Sequence, residues 1–121
     1  MDATNMHIAN TFGRENMVLF GMKYQDIKQF KATKPPAQIA KLIGQEFKDT
    51  VAVLKGGEVF GPCDPVIIEL LTGIQQGYDP YMIGVGFKDY IAAQEEADRV
   101  FSNKKEFCKR IVMTFSNLGK L

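Results

Sequence analysis

Apolar positions along this chain follow two rhythms. Met17-Val18-Leu19-Phe20, closed by Gly21, is a continuous run, which suits a strand buried on both faces of a parallel sheet. Elsewhere the apolar residues recur every three or four positions, as on one face of a helix. This spacing predicts helices at Met6–Phe12, Tyr24–Lys31, Ala37–Lys55, Val66–Gln76, Lys88–Phe101 and Lys104–Leu118. In the longest, Ile39, Leu42, Ile43, Phe47, Val51 and Leu54 form one stripe. Asp64-Pro65 is a carboxylate cap followed by proline at the first helical position, and Ile67, Leu70, Leu71 and Ile74 share the face that follows. The last helix carries Phe107, Cys108, Ile111, Val112 and Phe115. Gly13, Lys34-Pro35-Pro36, Gly56-Gly57, Gly77 and Ser102-Asn103 separate the elements.

The expected fold class is α/β: one end of an α/β domain, mostly helical in residues 1–121, with one or two short strands. Met82, Ile83 and Val85 form the second strand candidate, weakened by Gly84 and Gly86. A lone buried strand leaves main-chain groups unsatisfied. The chain therefore reads as one end of a domain whose other strands lie elsewhere, with apolar surface exposed beside Met17–Phe20. Its stop at Leu121 without a polar tail points the same way. Ligand sites in open α/β sheets form at the carboxyl ends of strands, so most of any such site is expected outside these residues.

Composition narrows the function classes. The 121 residues suffice for one domain, and a net charge of +1 does not indicate a basic nucleic-acid binder. No apolar run approaches the ~20 residues that span a bilayer. The first residues lack a basic-then-apolar leader, so a cytoplasmic location is expected. Cys63 and Cys108 have no metal-ligand spacing and read as reduced, partly buried thiols. Charge is uneven near the end: Asp89, Glu95, Glu96 and Asp98 precede a stretch where Arg99, Lys104, Lys105, Lys109, Arg110 and Lys120 face only Glu106. A helical hairpin with opposite charges in proximity is expected there; the alternative is a phosphate-binding basic helix, which lacks a nucleic-acid motif.

Candidate chemistry is sparse. Gly84-Val85-Gly86 lacks the third glycine of a dinucleotide fingerprint. His7, the single histidine, has no serine or cysteine near it in sequence. Glu95 and Glu96 are adjacent on a helix and do not share a face. No lysine lies in an apolar stretch that would favour a Schiff base. The expected catalytic, cofactor-binding and metal-ligating sets are all empty.

Several segments resemble one family in order and spacing. Met1-Asp2-Ala3-Thr4-Asn5-Met6-His7-Ile8-Ala9, Gly13-Arg14-Glu15-Asn16 and Met17-Val18-Leu19-Phe20-Gly21-Met22 are similar to the C-terminal domain of α-glucan phosphorylases. So are Phe60-Gly61-Pro62-Cys63-Asp64-Pro65, Asp89-Tyr90-Ile91-Ala92-Ala93-Gln94-Glu95 and Gly119-Lys120. The resemblance implies a GT-B-type transferase with two Rossmann-like domains, releasing glucose 1-phosphate from α-1,4-glucan with inorganic phosphate. It implies pyridoxal phosphate on a lysine upstream of the Met1-Asp2 motif, so no cofactor is expected on residues 1–121. The implied partners are the remainder of a phosphorylase chain, glucan and phosphate, and a second copy in a homodimer, with neither nucleic acid nor membrane. Five positions depart from the family pattern: Ala3 and Thr4 replace glycine and alanine, His7 replaces glutamate, and Thr114 and Ser116 replace asparagine and alanine in the last helix. If the family glycine has a positive φ, Ala3 is strained.

Two readings follow. In one, residues 1–121 form part of a phosphorylase's C-terminal domain and are inactive alone. In the other, they form an independent helical interaction module.

Overall fold

A computed structural model describes residues 1–121. It holds seven helices: α1 (Ala3–Phe12), α2 (Tyr24–Thr33), α3 (Pro36–Lys41), α4 (Gln45–Gly56), α5 (Pro65–Gln75), α6 (Phe87–Ser102) and α7 (Lys104–Ser116). Single 3-10 turns follow α1 at Arg14–Asn16 and α7 at Leu118–Lys120.

There is no strand, which overturns the α/β expectation. Met17 is extended at φ −120 and ψ 149, but no second segment runs beside Met17–Phe20. Extended backbone becomes a strand only through a ladder of hydrogen bonds to a neighbour. The other candidate, Met82–Val85, is a series of turns. Met82 there is left-handed at φ 54 and buries its side chain with Ile27 and Ile39. Asp79 fixes this loop: its Oδ2 accepts the Gly84 N–H at 2.7 Å and its Oδ1 the Tyr81 N–H at 3.3 Å.

The longest predicted helix is two helices. Gly44, extended at φ −67 and ψ 159, caps α4 after the chain breaks behind α3. The apolar spacing runs through the break because Ile39, Ile43 and Phe47 are all buried. The expected caps form elsewhere: Asp64 accepts the Val66 N–H at 2.8 Å, and Asn103 the Glu106 N–H at 3.2 Å. Asp2 caps α1 through the Asn5 N–H at 2.7 Å, and Ala3 opens that helix without positive φ, so the expected strain is absent. Gly77 has φ +90, and a Cβ there would lie 2.0 Å from the Pro36 carbonyl oxygen. Only glycine fits where the end of α5 meets the start of α3.

The core is small. Ile43, Phe47, Val51 and Ile74 form one buried cluster, packed by Leu71, Val85 and Phe87; Ile27, Ile39 and Met82 form another. Only 14 of 121 residues are buried, and the accessible surface is 8488 Å². A compact monomer of 13.6 kDa would expose about 6,600 Å². The excess lies partly on α5, where Val66, Ile67 and Leu70 are exposed, and on α7, which has no buried residue.

Candidate functional site

Two features stand out. The first is a four-charge cluster joining α6 to α7. Arg99 Nε donates to Glu96 Oε2 at 2.7 Å, and its Nη1 donates to Glu106 Oε2 at 3.1 Å. Arg110 Nη2 donates to Glu106 Oε1 at 2.7 Å and lies 3.5 Å from Glu96 Oε1. Hydrogen bonds from Arg99, and then the nearby Arg110 charge, hold the Glu96 carboxyl below its ordinary range. Glu106 is lowered in the same way by hydrogen bonds from Arg99 and Arg110. The same bonds raise the Arg99 guanidinium further. Each charge has a partner, so the cluster ties the hairpin together and leaves no free acid or base poised for catalysis.

The second feature is the segment Met17–Gly21, which has no regular secondary structure, with Met17 extended and Gly21 at φ +74. The N–H groups of Val18, Leu19, Phe20 and Gly21 donate to no acceptor in the protein, and the carbonyls of Met17 to Gly21 accept nothing. Two grooves flank it. One, of about 660 Å³, runs along α6 past Asp89, Ala92 and Glu96. The other, of about 340 Å³, is walled by Val18, Val100, Phe107, Ile111 and Phe115. Beyond Phe20 a third hollow of about 500 Å³ is rimmed by Asp2, Tyr81, Phe87 and Tyr90.

The residues weighed for chemistry in the sequence stay apart. His7 is exposed on α1, in a hollow with Asn10, Lys23 and Tyr24. Glu95 and Asp98 are exposed, and only Glu96 joins the charge cluster. Arg110 also belongs to it, while Lys104, Lys105 and Lys109 point to solvent. Cys63 is half-buried and Cys108 exposed, both free. No group of three His, Cys, Asp or Glu could hold a metal ion. A Schiff-base site needs a lysine in a concave, water-poor pocket. Lys23 lines a hollow but is exposed, and Lys34 lies beside the Phe30 ring, 5.3 Å from its centroid. These residues do not fit pyridoxal phosphate. Buried Asp79 escaped the sequence reading; the signal was an aspartate-proline pair followed by two glycines in a loop otherwise apolar.

The comparisons agree with the residue pattern. The carbohydrate phosphorylase family model matches residues 1–121, and the chain belongs to that family. It is 26% identical over 120 residues to the brain form of mouse glycogen phosphorylase and 24% to the human muscle form. The rat brain form is 25% identical. Each alignment covers 99% of this chain but 14% of the relative, so the chain spans about one seventh of the length of these proteins. No solved structure matches it. No helix is long and apolar enough to cross a membrane.

Proposed function

We propose that residues 1–121 are a supporting part of the C-terminal domain of an α-glucan phosphorylase in the cytoplasm. The reaction is release of glucose 1-phosphate from α-1,4-glucan by phosphate, with pyridoxal phosphate and the reacting groups carried by residues outside this chain. Its own part is to brace the catalytic region with its helices. Family membership over the whole chain supports this reading. The observation that carries it is the surface: 8488 Å² accessible, roughly 1,900 Å² above a compact monomer of this mass. A standard interface takes about 800 Å² from each partner, so more than one such face awaits cover.

The test is direct. The purified chain, given glycogen, phosphate and pyridoxal phosphate, should form no glucose 1-phosphate, whereas human muscle glycogen phosphorylase carrying this chain in place of its matched 120 residues should form it. Turnover by the chain alone, or an inert but folded chimera, would refute the reading. One observation favours an independent module: every buried side-chain nitrogen and oxygen has a hydrogen-bond partner. A cooperative melt and a lasting monomer at high concentration would support that alternative.

A further inference from the structure

We infer that the hollow between α1 and the start of α2 binds a small phosphate monoester; this goes beyond the supporting role and does not depend on it. The hollow encloses about 310 Å³, at the small end of the range for ligand pockets. Its polar wall is His7 and Asn10 from α1, then Lys23, Tyr24 and Gln25 where α2 begins, with no aspartate or glutamate among its residues. Every ion pair of the protein lies in the α6–α7 cluster, so the Lys23 ammonium has no counter-charge. His7 stands where the family has glutamate. A carboxylate at that place would share the hollow with Lys23 and neutralise it; the imidazole leaves the site open to an outside anion. Asn10 can only donate. Arg14 Nε and Nη2 both donate to its Oδ1, at 3.1 and 3.0 Å, which occupies both lone pairs and leaves the amide NH2 for a ligand oxygen. Main-chain donors add to these: the Tyr24, Gln25 and Asp26 N–H groups bond to nothing in the protein, and no side chain caps α2. A phosphate monoester brings close to two negative charges and three accepting oxygens, more than a carboxylate does, and so engages more of these donors. Ala3, Met6 and the Tyr24 ring complete the wall. They give an organic substituent an apolar surface to lie on, which bare phosphate has no means to use.

The test is an NMR titration of the isotope-labelled chain with phenyl phosphate, with inorganic phosphate, and with sodium chloride at matched ionic strength. Phenyl phosphate should move the amide signals of His7, Asn10, Lys23, Tyr24 and Gln25 and saturate in the millimolar range, and inorganic phosphate should bind about tenfold more weakly for want of the apolar contact. Two variants at exposed residues probe the charge. His7→Glu restores the family's carboxylate and Lys23→Gln removes the ammonium; each should weaken phenyl phosphate about tenfold or more. Both should leave the amide signals of α4 and α5 in place, which shows that the fold survives. Lys28→Gln, on the exposed side of α2 but outside the hollow, should leave binding unchanged. Absence of saturable shifts, shifts that sodium chloride reproduces, indifference to both His7→Glu and Lys23→Gln, or an equal loss with Lys28→Gln would overturn the inference. So would inorganic phosphate binding as tightly as phenyl phosphate, since the occupant would then be the free ion. The supporting role is read separately, by turnover of the chimera, and stands or falls apart from these results.

Discussion

The apolar stripes of α4 and of α7 follow the same helical spacing in sequence but are opposite in structure. Around α4, Phe47 and Val51 are 3% and 1% exposed, and Phe47 meets Phe87 edge to face, centroids 5.4 Å apart. Along α7, Val112 and Phe115 are 64% and 74% exposed although their spacing is just as regular. An apolar stripe states only that a helix has a face to bury. Whether the face is buried depends on which element lies opposite it. The α4 stripe finds α5 and α6; on α7 Phe107 meets Phe101 of α6, while Ile111 and Phe115 line an open groove.

Matched truncations should expose that contrast most sharply. Phe47→Ala should cost about 3–5 kcal/mol, enough to unfold a small domain of ordinary stability, whereas Phe115→Ala should change stability by less than about 0.5 kcal/mol. Urea denaturation of the two variants reads the difference; equal losses would mean that α7 is packed after all. Next comes Asp79→Ala. It strands the Gly84 N–H, which sits at a buried residue, and should cost about 1–3 kcal/mol. The same substitution at exposed Asp98 should be silent. Asp64→Ala removes the α5 cap and should cost about 1 kcal/mol, seen as a lower thermal midpoint.

The smallest effect belongs to the hairpin. Glu96 and Glu106 have carboxyl pKa values below the ordinary 4.5. Their contribution is therefore present above that value and lost as pH falls through the lowered ones. Both lie at the surface, so salt should screen the contribution. Acidification below about pH 4.5 should loosen α6–α7 relative to a Glu96→Gln, Glu106→Gln variant, read as faster amide exchange in α7. The difference should vanish in high salt.

Much of this layout was legible in the residues. Capping and apolar spacing are local, so the positions of α1, α2, α5, α6 and α7 could be read directly, as could the Asp64 and Asn103 caps. Family membership was legible as well, because ordered short motifs survive at 22–26% identity. The break at Gly44 was hidden because Ile39, Ile43 and Phe47 keep the spacing of one helix across it. Asp79 was hidden because its burial depends on a turn returning Gly84 to its carboxylate. No catalytic set could be assembled from the sequence, and the structure brings together four mutually neutralised charges instead.

Local chemistry, then, determined where most of this chain turns helical, since caps, glycines and periodicity act within a few residues. Tertiary structure alone decided that Met17–Phe20 has no ladder and that the Val112 and Phe115 edge of α7 stays open. Both depend on what lies across from them, and a residue's own neighbours in sequence cannot supply a hydrogen-bond partner or a packing face from elsewhere in the fold.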